Sequence, residues 1–194
     1  MPISEIYYNP GLAFIAVWLA WAVSWVAASM WSAKTEARAP MAAGLWYRIA
    51  LVVGGVTFFV PAHDTPDRLR LWDIGLTGAW ICVGLTALGV LFAWWARIHL
   101  GSLWSGEVVK KEGHKVVDTG PYAIVRHPIY TGLLLSVFAT MAAKGTVLGV
   151  AGAAIIVVGL WLKARLEEKF LAAELGEPYT AYAKRVPMLI PFGL

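Results

Sequence analysis

The sequence predicts an all-α integral membrane protein of about five transmembrane helices with polar segments gathered on one side. Three observations predict it. Apolar residues make up 59% of the 194 residues and charged residues 14%, against roughly 45–50% and 25% in soluble domains. The mean hydropathy is +0.66. The basic residues flank long apolar runs instead of forming an exposed stripe, which argues against nucleic acid as a partner although the net charge is +4. Disordered chains, coiled coils and collagen-like repeats are excluded on the same composition. One cysteine, Cys82, excludes a disulfide scaffold or a cysteine-rich zinc module and reads as a small core residue.

A bilayer core about 30 Å thick needs about 20 apolar residues per helix. Residues 11–31 carry no charge and place Trp18, Trp21 and Trp25 at helical spacing. Residues 1–10 lack Lys and Arg, so no positively charged leader is expected and the first span is expected to be retained. The second span, 42–60, contains Arg48 near one end, where it can snorkel. The third, 74–96, is bounded by Asp73 and Arg97. Residues 128–162 hold one charge, Lys144, followed at once by Gly145, which predicts two short legs, 128–143 and 145–162, in a tight hairpin. Gly145 and Gly149 are read as a helix-packing pair. The whole chain, 1–194, is expected to form one membrane domain.

The loops set the orientation. With the N-terminus outside, segments 32–41, 97–127 and 163–194 face the cytoplasm and hold twelve Lys and Arg, while the outer segments hold three. The C-terminus is then cytoplasmic. Segments 97–127 and 163–194 are longer than connection alone requires and mix His, Glu, aromatic and basic residues, as a site for a small polar ligand would.

Within 100–132, Gly120-Pro121 marks a turn. In Arg126-His127-Pro128 the proline disfavours a helical His127 and favours a helix beginning at 128. His127 is therefore expected at the N-terminal mouth of the fourth span, a natural seat for an anion, with Tyr130 one turn in. Leu162, Leu166, Phe170 and Ala173 recur at helical spacing, so the fifth span is expected to continue until Gly176 and Pro178 end it. Lys163 and Glu167, four apart, share a face.

Plainer readings stand beside these. Arg126 and Lys163 also suit positive-inside anchors, and Lys163 with Glu167 an ordinary surface pair. Trp104, Tyr122 and Tyr130 also suit an interfacial belt. His63 and His99 show no partner pattern. No Gly-rich nucleotide fingerprint and no metal-ligand spacing is present.

The ordered series Gly113-His114, Val117, Gly120-Pro121-Tyr122, Arg126-His127-Pro128, Tyr130, Gly132, Glu167-Glu168, Gly176, Tyr179, Tyr182 and Pro187 resembles the isoprenylcysteine carboxyl methyltransferase family, and looks most like a short prokaryotic member. Phospholipid methyltransferases and some sterol reductases share parts of the pattern. The resemblance covers residues 97–191 and implies a membrane methyltransferase with a cytoplasmic cofactor-binding region for S-adenosylmethionine, leaving S-adenosylhomocysteine. It implies that His114, Lys115, Val116, Val117 and Tyr122, with Lys110, contact the adenosine side. His127, Pro128, Ile129 and Tyr130 would hold the methionine end, and Glu167 would bind from the last helix. Where eukaryotic members carry an arginine one turn before that glutamate, this chain has Lys163, with Arg165 nearby. These two are the candidates to orient an acceptor's carboxylate.

The implied acceptor is the carboxylate of a prenylated cysteine or a similar lipophilic molecule, reached from the lipid bilayer. Two alternatives remain at this point. One is N-methylation of a phospholipid amine, which needs a base such as His114, His127 or Glu167. The other is a small membrane transporter, which predicts ionisable residues deep in the spans, where only Arg48 qualifies.

Overall fold

The structure, a computed structural model, describes residues 9–61, 65–113 and 115–191. His63 and His114, singled out from the sequence, lie outside the described residues. Helix α1 (Pro10–Ser29) starts where Asn9 accepts a hydrogen bond from the Gly11 amide and Pro10 takes the first turn. Every one of its side chains stays at least partly accessible, as suits a helix bathed in lipid. It is followed by strand β1 (Thr35–Arg38), helix α2 (Leu45–Phe58), helix α3 (Gly75–Leu100) and strand β2 (Val109–Lys111). Helices α4 (Pro128–Lys144), α5 (Val147–Leu175) and α6 (Glu177–Arg185) complete the chain.

The helices pack in pairs, α2 along α5 and α3 along α4, with α1 against α3. Small residues let the backbones approach, as they do where lipid removes any hydrophobic drive between helices. A Cβ on Gly152 would lie 2.5 Å from the Phe58 amide nitrogen, and one on Gly132 would lie 2.5 Å from the Gly89 carbonyl. Thr86, Ser136 and Thr140 fill the α3–α4 seam with their hydroxyls bonded to one another or to backbone.

Among the described residues four helical stretches are long and apolar enough to cross a membrane: Pro10–Ser29, Met41–Phe58, Gly75–Leu103 and Val147–Leu175. The fifth apolar helix, α4, has 17 residues, about 26 Å at 1.5 Å per residue. It is the short leg of the expected hairpin. The chain is an all-α integral membrane protein; among the described residues its β structure is the short β1–β2 ribbon and an isolated bridge between Arg70 and Thr146. Gly145 and Gly149 are not a packing pair. Gly145 ends α4 in the left-handed region at φ 57°, and Thr146 caps the Gly149 amide at the start of α5, so the two glycines sit on either side of a turn.

Two cations tie helix ends together. Lys144 donates to the carbonyls of Phe58 and Val60 at the C-terminus of α2. Arg97, fully buried, donates to Gly101 O at 2.6 Å and to Ala28 O and Trp31 O at 2.7 Å each. Its guanidinium lies between the Trp31 and Trp104 rings, 5.0 and 4.6 Å from their centroids. A cation at a helix C-terminus meets orphan carbonyls and the negative end of the dipole. In this way Arg97 fixes the end of α1 to the start of the loop that follows α3.

That loop is held from the other side by β1. The antiparallel ribbon pairs Thr35 with Lys111, Ala37 with Lys110 and Arg38 with Val109. The α1–α2 connection is therefore a strap across residues 102–112, reinforced where Ser32 donates to Trp104 O and Arg38 meets Glu107 at 2.9 Å.

Candidate active site

A cavity opens where the C-terminal end of α3, the strapped loop, the start of α4 and the extension of α5 meet. Trp104, Val108, Val109, Lys115, Val116, Val117, Tyr122, His127, Pro128, Ile129, Tyr130 and Glu167 line it, closed below by Phe170, Leu171, Leu175, Tyr179 and Tyr182. Nine of the eleven residues implied as cofactor contacts thus share one cavity. Of the other two, Lys110 turns instead to Glu36 and Glu174, at 3.8 and 3.6 Å, because alternation along β2 points it away from its neighbours Val109 and Lys111. His114 lies outside the described residues.

The mouth of α4 is built as the His-Pro sequence requires. His127 has φ −120° and ψ 62°, outside the helical region, and Pro128 opens the helix. Its amide donates to Met188 O at 3.1 Å and the Arg126 amide to Pro187 O at 2.8 Å. Thr131 adds a bond from its hydroxyl to Leu189 O at 2.7 Å. The C-terminal segment is thus laced to this mouth, and the Ile129 and Tyr130 amides, in the first helical turn, have no intrahelical acceptor.

Side chains then converge on one carboxylate. Glu167 accepts from the Tyr130 hydroxyl at 2.8 Å on each of its oxygens. His127 Nδ1 stands 3.5 Å from Glu167 Oε2, and its ring lies parallel to Tyr130 with centroids 5.4 Å apart. On the far side, His127 Nε2 is 3.3 Å from Glu168 Oε1 without meeting hydrogen-bond geometry. Arg126 Nε donates to that same Glu168 oxygen at 2.6 Å, and its Nη1 donates to Ala183 O and Val186 O at the end of α6. Burial alone would lower the His127 pKa; the two neighbouring carboxylates outweigh it and raise it. Burial pushes the Tyr122 phenol well above its ordinary value, so this ring faces the cavity as a neutral aromatic. Its carbonyl accepts from Tyr182 at 2.7 Å.

The two cations expected to orient an acceptor part company. Lys163, buried, sits 3.8 Å from Glu167 Oε1, 5.4 Å from the Tyr130 ring centroid, and donates to Gly106 O at 2.9 Å. It therefore braces the strapped loop as well as flanking the carboxylate. Arg165 is corrected: it is exposed, lies over the Trp161 ring at 6.0 Å and lines a different groove. Two residues along a helix turn about 200°, so a side chain midway between Lys163 and Glu167 must face the opposite side.

Sequence reasoning missed several members. Phe170 and Leu171 follow Glu167 by three and four residues, so helical periodicity could have placed them on its face. Glu107, which lines the cavity and pairs with Arg38 and with Arg48 at 3.6 Å, carried no local signal. His99, read as incidental, donates to or accepts from Thr119 Oγ1 at 2.9 Å and stacks on Tyr122.

Comparison with known proteins follows the same outline. The chain is similar to methanethiol S-methyltransferase 2 of Bradyrhizobium diazoefficiens, 35% identical over 65% of this chain and 51% of that protein. It is also similar to protein-S-isoprenylcysteine O-methyltransferase B of Arabidopsis thaliana, 28% identical over 75% of this chain and 74% of that protein. A third relative, the cobalt-zinc-cadmium resistance protein CzcN of Cupriavidus metallidurans, is 31% identical over 62% of this chain and 53% of that protein. The chain spans about half the length of the first and third of these. The stretch from Cys82 in α3 to Ala173 in α5 takes in the strapped loop, the His127 mouth and both glutamates, and it matches the isoprenylcysteine carboxyl methyltransferase family.

Proposed function

We propose that this protein is a membrane methyltransferase that takes S-adenosylmethionine in the cavity above Glu167 and esterifies the carboxylate of a lipophilic acceptor such as a prenylated cysteine. The observation that carries the reading is the partly buried Glu167 carboxylate, held by Tyr130, His127 and Lys163 at the wall of a cavity that nine of the implied cofactor contacts share. The donor set suits the cofactor. A fixed carboxylate offers two acceptors to a polar group, His127 Nε2 is a buried polar atom without a hydrogen-bond partner, and Val116, Val117, Leu171 and Tyr122 give apolar and aromatic faces for a flat base. A cation beside aromatic faces is also favourably placed.

When bound, S-adenosylmethionine supplies an activated methyl group on a sulfonium. The rest of the work falls to this chain's own side chains. Glu167 and the Tyr130 hydroxyl hold position, while Trp104, Val108 and Val109 on the strapped loop exclude water, the conditions an in-line transfer needs. Lys163 places a positive charge next to Glu167, where it would also draw an acceptor carboxylate toward the loop. The charge bias of the loops puts this mouth on the cytoplasmic side, where a soluble cofactor arrives, and the exposed apolar helix faces let a lipophilic acceptor arrive from the bilayer.

Acceptor chemistry favours a carboxylate. At neutral pH a C-terminal carboxylate, with a pKa near 3.3–3.7, is already a nucleophile. An ammonium or a thiol must first lose a proton to a base, a step that a carboxylate acceptor does not need. The similarity to a protein named for methanethiol S-methylation keeps a thiol as the second reading. Calorimetric titration of the detergent-solubilised full chain with S-adenosylhomocysteine tests the proposal. One-to-one micromolar binding that Glu167→Ala abolishes is the expected result; no binding to a folded protein overturns it.

A further inference from the structure

The face of α5 turned away from the cavity carries a second feature that methyl transfer does not use. Trp161, Arg165 and Lys169 recur every four residues and form one ladder along the helix. Trp161 is 46% exposed and Arg165 lies over its ring. Beside this ladder a groove runs between α5 and α6, lined by Arg165, Leu166, Lys169, Thr180 and Lys184. Arg165, Lys169 and Lys184 are exposed, and among the described residues none of the three forms an ion pair with a carboxylate. Glu168, the acid that also borders the groove, is engaged by Arg126 at 2.6 Å and stands beside His127. The nearby Glu177 accepts from the Thr180 hydroxyl at its carbonyl, 3.1 Å, and its carboxylate, 3.4 Å.

Depth along the membrane decides what such a groove meets. Counting about 1.5 Å per residue from Thr146, Arg165 lies roughly 28 Å and Lys169 roughly 34 Å along α5. They bracket the ~30 Å thickness of a hydrocarbon core. Trp161, one turn earlier, takes the depth at which interfacial tryptophans sit. Helix α6 buries Tyr179 and Tyr182 and leaves Lys184 exposed on the same groove as Arg165 and Lys169. Three unpaired cations over an apolar floor, at headgroup depth, match a phosphate carried on a glycerolipid better than one free in water.

We propose that the groove between α5 and α6 binds the headgroup of an anionic phospholipid through Arg165, Lys169 and Lys184. The proposal rests on the membrane fold alone and stands whether or not the cavity transfers methyl groups.

The experiment is native mass spectrometry of the full chain released from nanodiscs of equal phosphatidylglycerol and phosphatidylcholine. The wild type retains phosphatidylglycerol in preference, R165Q/K169Q/K184Q loses that preference by about tenfold or more, and R165K/K169R/K184R keeps it. Circular dichroism and gel filtration establish that each variant is folded. Should the glutamine variant not fold, K184Q alone, at an exposed position, weakens the preference in the same direction. Equal retention of the two lipids by the wild type, or a preference that survives in folded glutamine variants, overturns the proposal. Displacement of phosphatidylglycerol by millimolar inorganic phosphate also overturns it, because the groove is then a site for a free anion.

Discussion

The Tyr130 hydroxyl lies 2.8 Å from both carboxylate oxygens of Glu167, so one donor spans the acceptor pair that faces the cavity. A bond to a charged group contributes about 1.5–3 kcal/mol. Tyr130→Phe removes that bond and leaves the ring stacked on His127. The expected outcome is a folded protein whose S-adenosylhomocysteine dissociation constant rises about ten- to a hundredfold, read by calorimetry. An unchanged constant would show that the position of Glu167 does not depend on Tyr130.

Lys163 is expected to act on two ligands at once, because its ammonium both flanks Glu167 and holds Gly106 O. Lys163→Ala should raise the acceptor KM and also weaken S-adenosylhomocysteine binding, since the loop bearing Trp104 and Val108 loses its brace. Lys163→Arg, which keeps a charge and donors, should restore most of the second effect. A rise in KM with cofactor affinity untouched would mean that the Gly106 contact does not position the loop.

His127 makes folding stability depend on pH. Its pKa is raised in the folded state by Glu167 and Glu168 against the lowering effect of burial, so the folded protein holds this proton more tightly than the unfolded chain. That contribution is fully present below the unfolded value, about 6.5, and is lost as pH rises through the folded value. The Tm difference between wild type and His127→Asn should therefore be largest below about pH 6 and shrink toward alkaline pH. A difference that grows with pH would mean that His127 is neutral in the fold.

How much of this was legible in the sequence follows from the range of the interactions. The mouth of α4 was readable because His127-Pro128 acts through adjacent backbone. The continuation of α5 to Leu175 was readable because its apolar residues keep helical period and Gly176 stops it. Even the misplacement of Arg165 was avoidable, since the 100° step per residue separates it from Lys163 and Glu167. The β1–β2 strap was not readable, because Ala37 meets Lys110 across more than seventy residues and neither short strand carries an alternating pattern. Arg97 looked like a boundary residue, and nothing local discloses that its partners are carbonyls of α1.

Removing that guanidinium should be costly. Arg97→Ala removes the guanidinium donor from the Trp31 carbonyl, leaves those of Ala28 and Gly101 with backbone donors alone, and opens space between Trp31 and Trp104. A loss of about 2–4 kcal/mol is expected from the lost hydrogen bonds, measured by denaturant unfolding in detergent. Arg97→Lys should recover only part of it, because one ammonium cannot reproduce the planar fork that reaches two helix ends and stacks between two indoles. Full recovery by lysine would reduce Arg97 to a point charge.

The acceptor's identity has a kinetic signature. If the nucleophile is a carboxylate, it is ionised throughout the neutral range, and the rate at saturating cofactor should be flat from about pH 6 to 8.5 with an S-prenylated cysteine bearing a blocked amine. With a thiol acceptor the rate should instead climb about tenfold per pH unit until the thiol ionises, near 8.5 for a cysteine-like group, because the thiolate is the nucleophile. The two profiles are distinguishable in one assay that follows transfer of a labelled methyl group to each acceptor. A flat profile for the thiol would mean that the site lowers the thiol's pKa, and Lys163 beside Glu167 is the group whose replacement should then restore the slope.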